Sequence, residues 1–295
     1  MTISEDQLET WAQIGAQQTS KTTYATIKGC LDGGNYRGKV VGSFLQGSYG
    51  NDTNIRVESD VDVVMELTGI NYYDLSSLPL DQQIAYEAAV IPATYDFTAF
   101  RNDVLAALKA RFGADVAPGT RAISIKASGN RRKADVLVCI EHHKHIPYPL
   151  GLPVPAQKVI GICFFKSDGT QVVNYPRLHS EQLTAKNQAT NEWFKHLVRI
   201  FKNAREKLIR DGRLQRGVAP SYYIEGLLYN VPTENFGTNY ATSMFKCLSF
   251  LHQADRSQFV CANRQYRLLD GNVDVTWNAN DCNAYINALI GLWNQ

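Results

Sequence analysis

Apolar positions in the first thirty residues recur at helical spacing. Ser4 with Gln7 makes a capping box, and the helix it opens carries Leu8, Trp11 and Ile14 and, further on, Tyr24, Ile27 and Leu31. Gly33-Gly34 ends it. Around Val61, Val63 and Val64 the pattern has period two, which predicts a strand. Residues 70–96 are mixed and contain prolines, and read as a long connection. Phe100, Val104, Leu105, Leu108 and Phe112 then share one helical face, stopped by Gly113. Alternation returns in 121–127, Ser128-Gly129-Asn130 turns the chain, and 134–140 runs back as an apolar strand. Residues 159–165 and 171–174, joined through Ser167-Asp168-Gly169, form a second hairpin pattern. From about Thr184 the spacing is helical. One long segment runs to Asp211 and stops at Gly212, followed by 221–229, 241–253 and 281–293. Strands followed by helices predict an α+β domain joined to a helical domain.

Composition keeps that picture within ordinary globular proteins. The chain has 295 residues, of which 44% are hydrophobic and 20% charged, enough for two domains or one large one with a substantial core. The formal net charge of +2 does not support a broad nucleic-acid-binding surface. The start of the chain lacks a basic region followed by an apolar run, so no signal peptide is expected, and no stretch is apolar enough to span a membrane. The six cysteines contain no Cys-x-x-Cys pair, so a zinc site is not expected. Cys139 and Cys163 read as small core residues, and a reducing cytoplasm fits the set. The run His142-His143-Lys144-His145 precedes Pro147-Tyr-Pro149 and reads as a polar loop rather than a metal site.

The densest chemistry lies between residues 42 and 65. Gly47-Ser48 makes a small turn whose backbone N–H groups can hold phosphates, and Asp60-Val61-Asp62 follows on the predicted strand. Side chains alternate along a strand, so Asp60 and Asp62 project to one side while Val61 and Val63 face the other. Two carboxylates that close repel unless a cation lies between them, and hard oxygen donors select Mg²⁺ or Mn²⁺. Asp-x-Asp alone fits a solvated acidic edge strand equally well. The Gly-Ser turn upstream shifts the balance toward nucleotidyl transfer.

A two-metal phosphoryl-transfer site usually takes a third carboxylate from a neighbouring strand. Asp135, at the head of the apolar run 136–140, is the candidate, and could also accept the proton of an attacking hydroxyl. An ion pair with Arg131, Arg132 or Lys133 is the competing explanation. Lys195, Arg199, Lys202 and Arg205 form a basic stripe beside Phe194, Leu197, Val198, Phe201 and Leu208. Such a stripe is usually a solvated face, but a triphosphate needs neutralising, and Lys202, then Lys186, are the candidates. Ser221 is placed to cap the next helix, whose N-terminus can bind phosphate. Tyr222 can stack on a base, and Tyr223 fits a core position.

Together, Gly47-Ser48, Asp60-Val-Asp62, Asp135, the helix 194–205 and the segment Ser221-Tyr222-Tyr-Ile-Glu225 resemble the cGAS/DncV-like nucleotidyltransferases (CD-NTases) of the polymerase-β-like superfamily. The resemblance runs from about residue 10 to the end. It implies a nucleotidyltransferase core of mixed sheet and flanking helices over 1–180. A helical lobe like that of oligoadenylate synthase would follow over 181–295, with the active site between them. Asp60, Asp62 and Asp135 would hold two Mg²⁺ ions, for which Mn²⁺ can substitute. Gly47 and Ser48 would bind the donor triphosphate, Lys202 and Ser221 would contact its phosphates, and Tyr222 would stack on a base. The implied activity is synthesis of a cyclic di- or trinucleotide from NTPs, ATP and GTP foremost, with release of pyrophosphate. The product would activate an operon-encoded effector in anti-phage (CBASS) defence, in the cytoplasm, with a regulatory protein as a further partner. The chain lacks the cysteine/histidine zinc cluster of the animal DNA sensor, and direct double-stranded DNA sensing is not expected.

Overall fold

A computed structural model describes residues 3–15, 17–37, 39–56, 60–147, 157–271 and 274–294. In chain order the elements are α1 (Glu5–Ala12), α2 (Gln18–Asp32), β1 (Val41–Gln46), α3 (Gly47–Gly50), β2 (Val61–Asp74), α4 (Leu80–Ala89) and α5 (Phe97–Phe112). The strands β3 (Val116–Pro118), β4 (Ile123–Ile125), β5 (Ala134–His145), β6 (Lys158–Phe165) and β7 (Gln171–Asn174) follow. The chain closes with α6 (Pro176–Ala189), α7 (Trp193–Arg210), α8 (Ser221–Tyr229), α9 (Tyr240–Gln253) and α10 (Ala279–Trp293). These elements group into two units. One holds residues 18–45 and 60–175, the other 1–17, 46–59 and 176–295. The expected division near residue 180 lies close to the change from β7 to α6, but residues 1–17 and 46–59 group with the helices rather than with the sheet.

The first unit is built on a mixed sheet in the order β1-β2-β5-β4-β3, with β6 on β5 and β7 on β6. Strands β2 and β5 run parallel, and the remaining pairs among β3 to β7 are antiparallel. β5 holds β4 along 134–136 and β6 along 140–145, so one strand edge serves two partners in succession. β2 is therefore an interior strand, not the acidic edge strand that Asp-x-Asp alone allowed. Val61 and Val63 to Leu67 are buried, as an interior strand covered on both faces requires. Helix α5 packs on β5 and α2 on β2. α5 buries Phe97, Phe100, Val104, Leu108 and Phe112, and ends at Gly113 with φ 57°. That left-handed conformation is open to glycine at little cost.

Two expectations in this unit need correction. Residues 70–96 are not one irregular connection: β2 continues to Asp74 and α4 follows. The histidine run is not a loop but the end of β5, where His142, His143 and His145 are buried. Pairing with β6 extends the strand past the apolar run that marked it in sequence. His143 meets Glu141 and Lys158, and His145 sets its ring against Tyr86 at 4.6 Å. Burial pushes His142 down to about 4, so it is held neutral. Pro149 lies outside the described residues.

The second unit is helical, with α7 at its centre, packed against α1, α6, α8, α9 and α10. Its core includes Leu8, Phe194, Leu197, Phe201, Ile224 and Leu289. The N-terminal helix expected to run from Ser4 to Gly33 is two helices. Ser4 does accept from the Gln7 amide, at 3.2 Å. The chain breaks after Ala12 because Gly15 crosses the segment 54–55: its N–H donates to the Asn54 carbonyl at 3.0 Å. A Cβ there would lie 2.7 Å from the Ile55 carbonyl carbon and oxygen. The long helix expected up to Asp211 is also divided, by Asn191 and Glu192 at φ 48° and 70°. Side chains support the break. Thr190 Oγ1 accepts from the Phe194 amide at 3.0 Å, and Asn187 Oδ1 from the Lys195 amide at 2.9 Å. Both cap the first turn of α7. Glu5 on α1 accepts from the Tyr240 and Ala241 amides at 2.6 and 2.8 Å, placing a carboxylate at the positive end of α9.

Candidate active site

The sheet unit brings the three acids together. Asp62 on β2 is the register partner of Asp135 on β5. Neighbouring strands stand about 4.8 Å apart, and paired residues project to the same face. Asp60 lies two residues before Asp62 and shares that side. All three are partly exposed, while Val61, Val63, Ala134 and Val136 between them are buried. The apolar half of each strand thus fixes where the acidic half points.

A cation already sits at this set. Lys133 Nζ is 2.5 Å from Asp60 Oδ2 and 3.5 Å from Asp135 Oδ2. The Asp60 hydrogen bond, with the charges of Asp135 and Asp60, holds the ammonium above its ordinary range against partial burial. The ion pair weighed against the metal reading of Asp135 is therefore present, through Lys133. Among the described residues no three His, Cys, Asp or Glu side chains stand ready around one metal position. The donor set still fits Mg²⁺ or Mn²⁺ in kind: hard carboxylate oxygens of neighbouring residues, two of them drawn to one positive charge. A pocket of about 380 Å³ lined by Tyr72, Phe97, Arg101 and Phe165 lies toward the other end of β2 and touches none of the acids.

The helical unit carries the turn. Gly47 has φ 68°, and α3 is a single turn whose N-cap, Gln46, makes no side-chain cap. The Asn51 amide donates to Gly47 O at 3.1 Å and the Thr53 amide to Ser48 O at 2.9 Å, so the turn hangs on residues 51–53. Those residues are held in turn by α7 and α8. Arg199 donates from Nη1 to Asp52 O at 2.6 Å and from Nε to Ala12 O. Lys195 pairs with Asp52 at 3.6 Å, and Lys202 Nζ donates to Thr53 O at 2.8 Å. The basic stripe on α7 is thus largely buried and grips main-chain carbonyls; Arg199, Lys202 and Arg205 are all buried. It is not the solvated face such spacing usually signals. Desolvation lowers Arg199 to about 10.

The expected phosphate-binding residues of this unit are engaged with the protein itself. Lys202 is fully buried on Thr53 O. Lys186 donates to Val231 O at 2.6 Å and lies over the Tyr229 and Phe236 rings, with burial lowering its pKa. Ser221 is the first residue of α8 and not its cap. Pro220 precedes it without a side-chain cap, and Ser221 Oγ accepts from Arg205 Nη1 at 3.1 Å. Tyr222 does stack, but on His179, with centroids 4.4 Å apart and planes at 17°. Its hydroxyl accepts from Asn263 at 3.1 Å, and burial raises its pKa.

Sequence reasoning missed what joins these pieces. Glu225, buried on α8, accepts from His179 Nε2 at 2.8 Å, from Asn51 Nδ2 at 3.2 Å and from Thr53 Oγ1. Burial alone would push its carboxyl up, but the His179 hydrogen bond and the nearby Lys202 ammonium outweigh that and hold it below its ordinary range. An acid inside the apolar run Tyr222-Tyr-Ile-Glu-Gly-Leu-Leu was the available signal, since such a charge is costly unless partnered.

Comparison with known proteins places this arrangement. A cyclic UMP-AMP synthase of Rhodothermus marinus (strain SG0.5JP17-172) is 37% identical over 295 residues, covering 99% of this chain and 98% of its own. The chain belongs to the cGAS/DncV-like nucleotidyltransferases. The profile of the cGAS/DncV-like nucleotidyltransferase C-terminal helical domain matches residues 181–294. The cyclic nucleotide synthase CdnE01 of Staphylococcus haemolyticus is 34% identical over the full length of both chains. The fold of this CD-NTase matches the structure of Rhodothermus marinus CdnE c-UMP-AMP synthase with Apcpp and Upnpp. The TM-score is 0.89 at 36% identity, covering 99% of this chain and 97% of that one. The Elizabethkingia meningoseptica CdnE cyclic dinucleotide synthase with GTP and Apcpp gives 0.77 at 26%. The α+β nucleotidyltransferase fold expected from sequence is the fold found. Among the described residues no helix is long and apolar enough to cross a membrane.

Proposed function

We propose that this CD-NTase joins NTPs into a cyclic di- or trinucleotide by metal-dependent nucleotidyl transfer. The pairing of Asp62 with Asp135 across β2 and β5, two residues from Asp60, carries the reading. Full-length likeness to cyclic nucleotide synthases supports it. In each transfer a ribose hydroxyl oxygen bonds to the α-phosphorus of a triphosphate, that of another NTP in chain extension and that of the linear intermediate itself in ring closure; the bond from this phosphorus to the bridging β-phosphate oxygen breaks, and pyrophosphate leaves. The hydroxyl proton passes to Asp135 or to water. Asp60, Asp62 and Asp135 would hold the cations, two Mg²⁺ or Mn²⁺. When bound, these neutralise the triphosphate and the charge developing on the oxygens of the bond that breaks.

Gly47 and Ser48 present backbone N–H groups to the donor phosphates, and Tyr222 borders the base. Lys202 and Lys186 act on the protein rather than on phosphate. Lys202 fixes Thr53, and Lys186 fixes the end of α8. Ser221 accepts from Arg205, and its hydroxyl hydrogen would serve a phosphate oxygen. The functional domains of this reading are a nucleotidyltransferase core over 1–180 and a helical lobe over 181–295, with the turn segment 46–59 grouped with the helices. The substrates are ATP, GTP or other NTPs of the cytoplasm. The product signals to an operon-encoded effector in anti-phage defence, under control of a regulatory protein; one relative has been solved in complex with a HORMA protein.

Incubation with radiolabelled NTPs and Mg²⁺ or Mn²⁺, followed by phosphatase, is expected to leave a resistant small product whose bases mass spectrometry reads. Asp62→Asn is expected to abolish it. Complete conversion of label to phosphate, with NTP mixtures and candidate activators supplied, removes the reading. Label on an added tRNA, protein or small molecule replaces it with transfer to another acceptor.

A further inference from the structure

We propose that Glu225, with His179, is the positioning residue of the Gly47-Ser48 turn. The inference rests on the nucleotidyl-transfer reading and adds a residue to it. Glu225 reaches the turn through two short hydrogen-bonded paths. Its carboxylate holds the Asn51 amide group, and the Asn51 main-chain N–H holds Gly47 O at 3.1 Å. It also holds Thr53 Oγ1, and the Thr53 main-chain N–H holds Ser48 O at 2.9 Å. Each residue that anchors the turn by its backbone is thus anchored by its side chain to the same buried carboxylate.

Three further contacts make Glu225 a junction. Lys202 secures Thr53 from α7, through the carbonyl. His179 on α6 binds the carboxylate at 2.8 Å and stacks on Tyr222, the residue assigned to the base. Tyr222 and Glu225 lie three residues apart on α8, hence on neighbouring positions of one helix face. The phosphate turn and the base-side tyrosine therefore share a rigid support. A carboxylate suits that task. It accepts several hydrogen bonds at once, charge-assisted ones are the stronger kind, and a buried one left without partners is costly. The geometry fixes the turn before nucleotide arrives, which lowers the ordering cost of binding.

Glu225→Gln keeps the shape and removes the charge, and Thr53→Val and Asn51→Ala cut the paths from the other side. The experiment measures KM and kcat for NTP, the affinity for a non-hydrolysable ATP analogue by calorimetry, and thermal melting, all well below Tm. A positioning role predicts a rise of about tenfold in KM and in analogue Kd for Glu225→Gln in folded protein. Thr53→Val should reproduce much of it, and the Glu225→Gln/Thr53→Val double variant should fall short of the product of the single effects. A merely structural role lowers activity in proportion to the folded fraction and leaves KM and Kd unchanged. That result, in Glu225→Gln or, if it does not fold, in Thr53→Val and Asn51→Ala, overturns the inference. Wild-type protein that neither binds the analogue nor makes a phosphatase-resistant product overturns the underlying reading instead.

Discussion

Lys133 pairs with two of the three acids to which the proposed chemistry assigns metal, so its removal has a defined expected effect. The ammonium is 2.5 Å from Asp60 and 3.5 Å from Asp135, with side chains roughly one third to one half exposed. Exposed ion pairs of this kind are worth about 0.2–1 kcal/mol each. Two of them give roughly 0.4–2 kcal/mol holding the acids against the lysine instead of a metal. Lys133→Met keeps the length of the side chain and removes the charge. It should lower the Mg²⁺ concentration for half-maximal activity by about 2- to 30-fold, since each 1.4 kcal/mol is tenfold. Salt screens the ammonium, so the advantage should shrink between about 0.05 and 0.5 M salt.

Titration with Mg²⁺ at saturating NTP measures the effect, and electron paramagnetic resonance of Mn²⁺ bound to the apo protein measures it without turnover. An unchanged or weakened metal affinity refutes the competition. A raised KM for NTP with unchanged Mn²⁺ binding shows instead that Lys133 serves a phosphate. Asp62→Asn in the same Mn²⁺ titration is the control that ties the signal to these acids.

Gly15→Ala forces a Cβ to within 2.7 Å of the Ile55 carbonyl. It should destabilise the protein by about 1–3 kcal/mol, read as a fall of several degrees in Tm, and an unchanged Tm would show that the crossing yields. His142 is held at about 4 against an ordinary 6.5, chiefly by burial. The unfolded chain therefore binds more protons between these values, and stability rises with pH through that window and is lost as pH falls through it. Denaturant melts of wild type against His142→Gln should show the variant losing up to about 3 kcal/mol less between pH 6.5 and 4. Parallel curves would remove His142 as the cause. Ser221→Ala removes the acceptor of an Arg205 hydrogen bond and no side-chain helix cap. It should cost about 1 kcal/mol or less in denaturant stability, whereas a matching rise in NTP KM would restore its phosphate contact.

The acids and the strand that carries them were legible because their signal is local. Alternation around Asp60 and Asp62 fixes a face, and the valines between them say which face is buried. The end of β5 was not legible, because His142 to His145 pair with β6, 13 to 19 residues further along the chain. The divided helices hid for a similar reason. Gly15 is ordinary in sequence, and only the crossing of residues 54 and 55 makes it a breaking point. Asn191 and Glu192 carry no glycine or proline, and their left-handed turn is supported by Thr190 and Asn187 on the preceding turn. For α7, spacing correctly grouped Lys195, Arg199, Lys202 and Arg205 on one face. It could not say that this face meets main-chain carbonyls instead of water.

That last point changes how charge is allotted in the proposed reaction. Arg199, Lys202, Arg205 and Lys186 would make a strongly cationic lining if they faced a triphosphate. Instead their charge is drawn to Ala12 O, Asp52 O, Thr53 O, Ala219 O and Val231 O, groups of the protein's own main chain. The bonds to Ala12 O, Thr53 O and Ala219 O are buried, and breaking one would cost about 1–3 kcal/mol. Their contribution to phosphate binding is therefore indirect: they hold the turn in a shape whose backbone N–H groups can serve. On the proposed reading, neutralising the substrate falls to the cations that Asp60, Asp62 and Asp135 would hold. Lys133 pairs with Asp60 and Asp135 at that set, and those partly exposed pairs are of the weak kind. A site built this way is a support for metal-bound nucleotide more than an anion pocket. Its activity should depend steeply on divalent metal, while substitutions in the basic stripe should reach it through the position of the turn.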